Sequence, residues 1–431
     1  MTEQPLHFET LAIHAGQEPD PATGARALPI YQTTSFVFPD AETAANRFAL
    51  ADLGPIYTRI TNPTQAAVED RIAALEGGAL GLLVSSGQSA ITLAVLNLAG
   101  AGDSIVVSPS LYGGTFNLFK HTLARLGIEP IFVEDPDDLD AWRRAARENT
   151  KAFFAETIPN PRQDVLQIRE VADIAHEAGV PLIVDNTVAT PYLLRPLEHG
   201  ADIVVHSATK FLGGHGTTIA GAIVDGGTFD FAADPERFPT FNEPDASYNG
   251  LVYTQLPRPL TPFAIKARVQ LLRDLGPAVA PHSAFLIAQG LETLPLRMER
   301  HVANATRVAE YLAARDDVES VSWAGLPGSP YHERAQRYLP RGAGSVLGFT
   351  LAGGAEAGRR FVDSLRLHSN VANIGDVRSL VIHPASTTHS QLSEDEQRAA
   401  GVEPGFVRLS VGLEHIDDIL ADLDRGFAAL A

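Results

Sequence analysis

The chain has 431 residues, a formal net charge of −19 and no cysteine. Its length exceeds one compact domain of usual size, so two or three domains are expected, and the lack of cysteine excludes disulfides, thiolate metal sites and a cysteine nucleophile together. The acidic balance repels nucleic acid and anionic membranes, and with no apolar run long enough to span a bilayer and no basic leader, the expected location is the cytoplasm.

In chain order, residues 1–61 are rich in Pro and Gly, show little helical period and read as an extended arm that needs another surface to pack on. At Asn62-Pro63 the pattern changes to an N-cap and first-turn proline, with Val68, Ile72 and Leu75 at helical spacing and a stop at Gly77-Gly78. Strand-like runs follow at 80–85, 104–108, 130–133, 151–156, 181–185 and 202–206, alternating with helical patterns at 88–99, 113–126 and 167–178. Such alternation predicts a mainly parallel sheet covered on both faces. Residues 225–260 lack periodicity and read as a long ordered loop, a length usually reserved for function or an insertion. From about 266 to 315 the pattern turns to long helices, followed by short strands and helices and an amphipathic helix over 415–430. The change divides a large domain, 62–265, from a smaller C-terminal α/β domain, 266–431.

Four of the 33 basic residues are lysines. One of them, Lys210, lies in Ser207-Ala208-Thr209-Lys210-Phe211-Leu212-Gly213-Gly214, at the mouth of a predicted strand. An amine flanked by hydroxyl donors and flexible backbone can form a Schiff base with an aldehyde cofactor whose phosphate those hydroxyls and N–H groups hold. That cofactor is pyridoxal phosphate. Ser207-x-x-Lys210 also matches the nucleophile motif of serine acyl enzymes, with Ser247-Tyr248-Asn249 as a second element, but no lysine is followed by Thr-Gly, their third. The fourteen histidines show no metal-ligand spacing, so no metal is expected.

Ligands of parallel sheets lie beyond the carboxyl ends of the strands, and several segments place polar residues there. Ser85-Ser86-Gly87-Gln88 joins a strand to a helix whose first N–H groups can face a phosphate. The run ending Val184-Asp185-Asn186-Thr187 buries a carboxylate at a cost unless a cation such as a pyridinium nitrogen meets it. Tyr112, before Gly113-Gly114, offers a ring to stack on a planar cofactor. Asn160, between Pro159 and Pro161, reads as a turn former or as an amide beside the ligand.

Together these residues resemble the cystathionine γ-synthase-like pyridoxal-phosphate enzymes of cysteine and methionine metabolism. The resemblance covers nearly the whole chain: Tyr57-Thr58-Arg59, Asn62-Pro63-Thr64, Ser86-Gly87, Tyr112-Gly113-Gly114, Asn160-Pro161, Asp185-Asn186-Thr187, Ser207-Ala208-Thr209-Lys210, His383-Pro384-Ala385-Ser386 and Arg408-Leu409-Ser410-Val411-Gly412-Leu413-Glu414. It implies a fold-type I α/β transferase with a mainly parallel large domain and a smaller α/β domain, acting as a homo-oligomer, a dimer of active dimers. Lys210 would carry the cofactor and shuttle protons, Asp185 would face the pyridine nitrogen, and Tyr112 would stack on the ring. The phosphate would take the N–H groups of Gly87 and Gln88, the hydroxyls of Ser207 and Thr209, and Tyr57 and Arg59 from a neighbouring subunit. Arg408 would clamp the substrate carboxylate, which a planar fork matches and a lysine would not, with Asn160 beside the cofactor's phenolic oxygen and Asn373 at the substrate.

Within the family the chain looks like the branch that replaces the acetate of O-acetyl-L-homoserine with sulfide. Gly114 stands where the methionine-cleaving branch usually has cysteine, and the stretch from Phe238-Pro239 to Tyr253 resembles an insertion of the sulfide-using branch. Asn373-Ile374-Gly375-Asp376 with Arg378 departs from the Ser-Leu-Gly-Gly pattern of the cystathionine enzymes, while residues 382–389 with Gln391-Leu392 fit the sulfide-using branch. Siblings that make cystathionine, take the succinyl ester or cleave methionine remain the alternatives, since all would share Lys210 and the phosphate cradle.

Overall fold

In the computed structural model, which describes residues 6–388, 390, 397 and 401–430, the apolar runs of the first half land in one seven-stranded sheet. Its strands are β1 (Leu80–Val84), β2 (Ser104–Val107), β3 (Glu129–Phe132), β4 (Thr150–Glu156), β5 (Leu182–Asp185), β6 (Ile203–His206) and β7 (Gly221–Asp225). Their order is β1-β7-β6-β5-β4-β2-β3, with β3 through β6 paired in parallel and β7 antiparallel to both β1 and β6. Strands buried on both faces explain why these segments read as continuous apolar runs. The Pro63–Glu76 helix starts as its sequence requires: Asn62 accepts the Thr64 N–H at 2.9 Å and Gly77, at φ +76°, ends it.

A second sheet comes from the last part of the chain. It contains β8 (Val318–Ser322), β9 (Val346–Leu351), β10 (Ser369–Asn370), β11 (Leu380–Ile382) and β12 (Phe406–Ser410), in the order β10-β11-β12-β9-β8, antiparallel except between β10 and β11. The Leu294–Ala313 and Gly354–Ser364 helices pack on it, and both contact the final Ile416–Ala428 helix.

Two expectations need correcting. The N-terminal segment is not wholly extended: it contains helices at Phe8–His14 and Ala41–Phe48. Phe8 and Ala12 are buried, and Asp40 caps the second helix by accepting the Thr43 N–H at 2.7 Å, so local capping and tertiary burial override the weak periodicity. Residues 221–225 form a strand that the sequence pattern did not reveal, and the segment after it is a loop with a core of its own. There Phe231 and Phe241 stack at 4.4 Å between centroids, with Phe229, Phe238 and Tyr253 packed around them. Residues His389, Gln391 and Leu392, part of the branch resemblance, lie outside the described residues. Among the described residues no helix is long and apolar enough to cross a membrane.

Candidate active site

The carboxyl ends of β4, β5 and β6 face β12 of the second sheet across a cavity of about 260 Å³. All the site residues expected from sequence line it except Tyr57 and Arg59: Gly87, Gln88, Tyr112, Asn160, Asp185, Ser207, Thr209, Lys210, Asn373 and Arg408. Lys210 and Arg408 come from different sheets and meet through one residue. The Lys210 Nζ donates to Asn373 Oδ1 at 2.5 Å, and Arg408 Nη2 donates to the Asn373 carbonyl at 3.0 Å. Arg408 Nη1 also lies 3.4 Å from Asn160 Oδ1, while its Nε has no hydrogen-bond partner among the described residues.

At one end of the cavity, Ser86 caps the Gly87–Leu96 helix, accepting the Ser89 N–H at 3.1 Å. A Cβ on Gly87 would sit 2.7 Å from Ser207 Cβ, so only glycine lets the helix start against the Ser207–Lys210 turn. The helix N-terminus and the adjacent hydroxyls of Ser207 and Thr209 make a donor set for an anion. Residues 208–213 form a turn rather than opening a helix, and Ser247, Tyr248 and Asn249 do not line the cavity, so the arrangement of a serine acyl enzyme is not present.

The electrostatics suit imine chemistry. Burial, reinforced by the Arg408 charge, pushes the Lys210 amine down to about 8, which raises the neutral, nucleophilic fraction near neutral pH. Burial likewise pushes Arg408 down to about 10. Asp185 and Glu156 are neighbours across β5 and β4. Burial raises the Asp185 carboxyl, against hydrogen bonds from Thr187 and the charge of His206, and burial plus the Asp185 charge raises Glu156 well above the usual carboxylate range. A cationic ring nitrogen beside Asp185 would reverse the first shift by favouring its charged form. The donor set at the helix start, the depressed amine, the buried carboxyl and the unpaired Arg408 Nε fit a phosphorylated pyridine aldehyde bearing an amino-acid substrate.

Sequence reasoning missed residues that shape this site. Glu156 accepts the Tyr112 N–H at 2.8 Å and so fixes the loop that presents the aromatic ring. Thr187 donates its N–H to Asp185 Oδ1 at 2.8 Å and accepts the Ser207 N–H at 2.7 Å, joining the carboxylate to the lysine turn. The apolar wall comes from Ile91, Ile158, Val188, Ile219, Ala372 and Ile374. Tyr57 and Arg59 lie outside the cavity: Arg59 donates to the Arg273 carbonyl at 2.8 Å and stands over the Tyr57 ring, while Tyr57 is 41% exposed.

The fold and this site define a pyridoxal-phosphate enzyme of fold type I, and the chain belongs to the family of Cys/Met metabolism PLP-dependent enzymes, whose model matches residues 9–428. Among its relatives, O-acetyl-L-homoserine sulfhydrylase of Corynebacterium glutamicum is 55% identical over 426 residues, covering 98% of this chain and 97% of that protein. Homocysteine synthase of Schizosaccharomyces pombe is 52% identical over 419 residues, covering 96% and 97%. A candidate O-acetylhomoserine (thiol)-lyase of Campylobacter jejuni, solved with N′-pyridoxyl-lysine-5′-monophosphate, superposes with a TM-score of 0.94 at 41% identity over 98% of this chain and 100% of that one. Cystathionine γ-lyase of Lactobacillus plantarum, complexed with L-serine, gives 0.84 at 33% identity over 98% and 99%.

Proposed function

We propose that this enzyme catalyses a γ-replacement in methionine biosynthesis, converting O-acetyl-L-homoserine and sulfide to L-homocysteine and acetate. Relatives named for that reaction support the reading. The observation that carries the choice of ester is the charge inventory of the cavity. Among the described residues only Lys210 and Arg408 line it as cations. One is assigned to the cofactor and proton transfer and the other to the substrate α-carboxylate, so a second substrate carboxylate finds no further cation among this chain's described lining residues.

Bound pyridoxal phosphate supplies an electron sink for the substrate carbons next to the amine. Lys210 would hold it and, with its amine free, would take the α-proton on Nζ. Depression of its pKa by burial keeps that nitrogen able to accept. Asp185 would meet the ring nitrogen and favour its protonated form, and Tyr112, anchored by Glu156, would supply a ring to stack on it. Gly87, Gln88, Ser207 and Thr209 hold the phosphate. Arg408 would take the substrate carboxylate in its fork, Asn373 orients both Arg408 and Lys210, and Asn160 would serve the phenolic oxygen. The C–O bond at the γ-carbon breaks with its electron pair leaving on acetate, and the C–S bond forms from a hydrosulfide pair. With no cysteine in the chain, the sulfur cannot pass through an enzyme persulfide and must arrive as a free small thiol or sulfide.

The experiment that tests the ester assignment compares acetyl and succinyl homoserine under the same sulfide concentration. An unpaired carboxylate in a partly desolvated cavity costs on the order of 2–3 kcal/mol, so the acetyl ester is expected to lead by about 30- to 150-fold in kcat/KM. Equal values, or a lead for the succinyl ester, would sink the assignment. A competing reading of the same cavity as cystathionine γ-synthase, O-succinylhomoserine sulfhydrylase or methionine γ-lyase would then take its place.

Residues 1–61 complete the reading as an arm whose Tyr57 and Arg59 serve the phosphate site of a neighbouring subunit, in a homo-oligomer whose smallest active unit is a dimer. Their position outside this chain's own cavity supports it. Inactive Arg59→Ala and inactive Lys210→Ala chains, mixed equally and reassembled, then form hybrids with one native site in two, and about a quarter of wild-type activity is expected to return. No recovery despite measured subunit exchange would place Arg59 in its own subunit's site.

A further inference from the structure

On the far side of the sheet from the cavity, two strand ends are tied to a single carboxylate oxygen. Glu76 is the last residue of the Pro63–Glu76 helix. Its Oε1 accepts from His206 Nε2 at 2.6 Å and from Asn186 Nδ2 at 2.8 Å. Glu76, Asn186 and His206 are all 0% exposed. Asn186 directly follows Asp185 at the end of β5, and His206 ends β6 immediately before the Ser207–Lys210 turn. Asn186 is held further, its Nδ2 donating to the Leu194 carbonyl at 2.8 Å and its backbone N–H to the Val205 carbonyl at 3.0 Å. Successive side chains of a strand alternate between faces; hence Asp185 turns into the cavity while Asn186 and His206 turn to the helix.

Stability is a poor account of this cluster. Replacing a buried, charged group of hydrogen-bonded side chains by apolar ones of similar volume is often neutral or stabilising. Here, moreover, Glu76 Oε2, Asn186 Oδ1 and His206 Nδ1 make no hydrogen bond within the described protein. What the cluster does uniquely is geometric. On the cavity face Thr187 bridges Asp185 and Ser207, and on the opposite face Glu76 bridges the residues next to them in sequence.

We propose that Glu76 is a positioning residue: by binding His206 and Asn186 on one oxygen, it sets the spacing between Asp185 and the Ser207–Lys210 turn. The inference rests on the reading of the cavity as the cofactor site. Asp185 and Lys210 belong to opposite ends of one rigid ligand, so an error in their separation is felt by that ligand rather than by the fold.

The test uses purified holoenzyme and two substitutions with opposite expectations. Glu76→Gln keeps an acceptor oxygen for both donors and is expected to retain cofactor affinity and the visible circular dichroism of the bound cofactor. Glu76→Leu fills the space without an acceptor. It is expected to keep the far-UV spectrum of a folded protein, to weaken pyridoxal phosphate retention by about tenfold to a hundredfold, the scale of losing the support behind a metal ligand, and to diminish the visible circular dichroism. A folded Glu76→Leu protein with wild-type retention and wild-type visible circular dichroism overturns the proposal, whatever its melting temperature. Should Glu76→Leu not fold, His206→Asn, whose donor is too short to reach Glu76, is read by the same two measurements with the same outcomes. The failures are distinguishable, because wild-type protein without a lysine-bound cofactor refutes the cavity reading, whereas wild-type protein with it and an indifferent Glu76→Leu refutes only this inference.

Discussion

Lys210→Ala is expected to lose the visible absorbance of bound cofactor and to lower turnover by roughly 10⁴-fold or more, the upper range for removing a general acid–base group. Lys120→Ala, Lys151→Ala and Lys266→Ala are expected to keep both. Lys266 makes this a discriminating comparison, since burial also pushes its amine down to about 8. A depressed pKa therefore does not by itself mark the cofactor lysine. Lys266 Nζ is consumed by Asn97, donating to its carbonyl at 2.9 Å and its Oδ1 at 3.2 Å, and it lies 4.8 Å from the Phe241 ring centre, outside the cavity. Lys210 faces the cavity and Asn373. Its neutral fraction grows as pH rises, and because burial disfavours the charged form that growth is centred lower, so uptake of pyridoxal phosphate by the apoprotein should rise through a midpoint near 8. An ordinary lysine would rise through about 10.4. A Lys266→Ala protein that lost the band while Lys210→Ala kept it would overturn the assignment.

Arg408→Met is expected to raise KM for the amino-acid ester and to cut kcat/KM while leaving the visible band in place. Arg408 is 8% exposed, its pKa is pushed down to about 10 by burial, and among the described residues no carboxylate pairs with it. A buried cation in that state is costly unless an anion joins it. Removing one partner of a buried, hydrogen-bonded charge pair costs about 2–5 kcal/mol, or roughly 30- to 5,000-fold in kcat/KM. Arg408→Lys should recover only part of the loss, since the ammonium restores the charge but not the two-pronged geometry. Steady-state kinetics across ester concentration decide the matter, and an unchanged KM in Arg408→Met would assign the substrate carboxylate to another group.

The parts of the site legible in sequence are those at the carboxyl ends of predicted parallel strands. There the continuous apolar runs locate the strand, and the polar residues that close them fall into the cavity: Asp185 at the end of β5, and Ser207 to Lys210 after β6. Arg408 was legible only through the family pattern, because nothing local to β12 says which cavity its side chain enters. Glu156 and Glu76 escaped for a related reason. Each is an acid at the end of an ordinary element, and its meaning comes from partners far away in sequence: Tyr112 for the first, Asn186 and His206 for the second. The strand Gly221–Asp225 was hidden by its surroundings, a short apolar run between glycine-rich turns whose pairing to β1 and β6 is long-range and antiparallel. The aromatic cluster of the 225–260 region has little period to detect, since Phe238 and Phe241 share only the single turn of helix at Pro239–Asn242 and Phe231 reaches them through loop geometry.

The most direct test of the γ-replacement is product analysis with O-acetyl-L-homoserine, sulfide and an excess of L-cysteine in one reaction. The cavity and the family membership lead us to expect L-homocysteine and acetate in equal amounts, formed only when sulfide is present, with little cystathionine. Cystathionine as the main product, or 2-oxobutanoate released without sulfide, would contradict it.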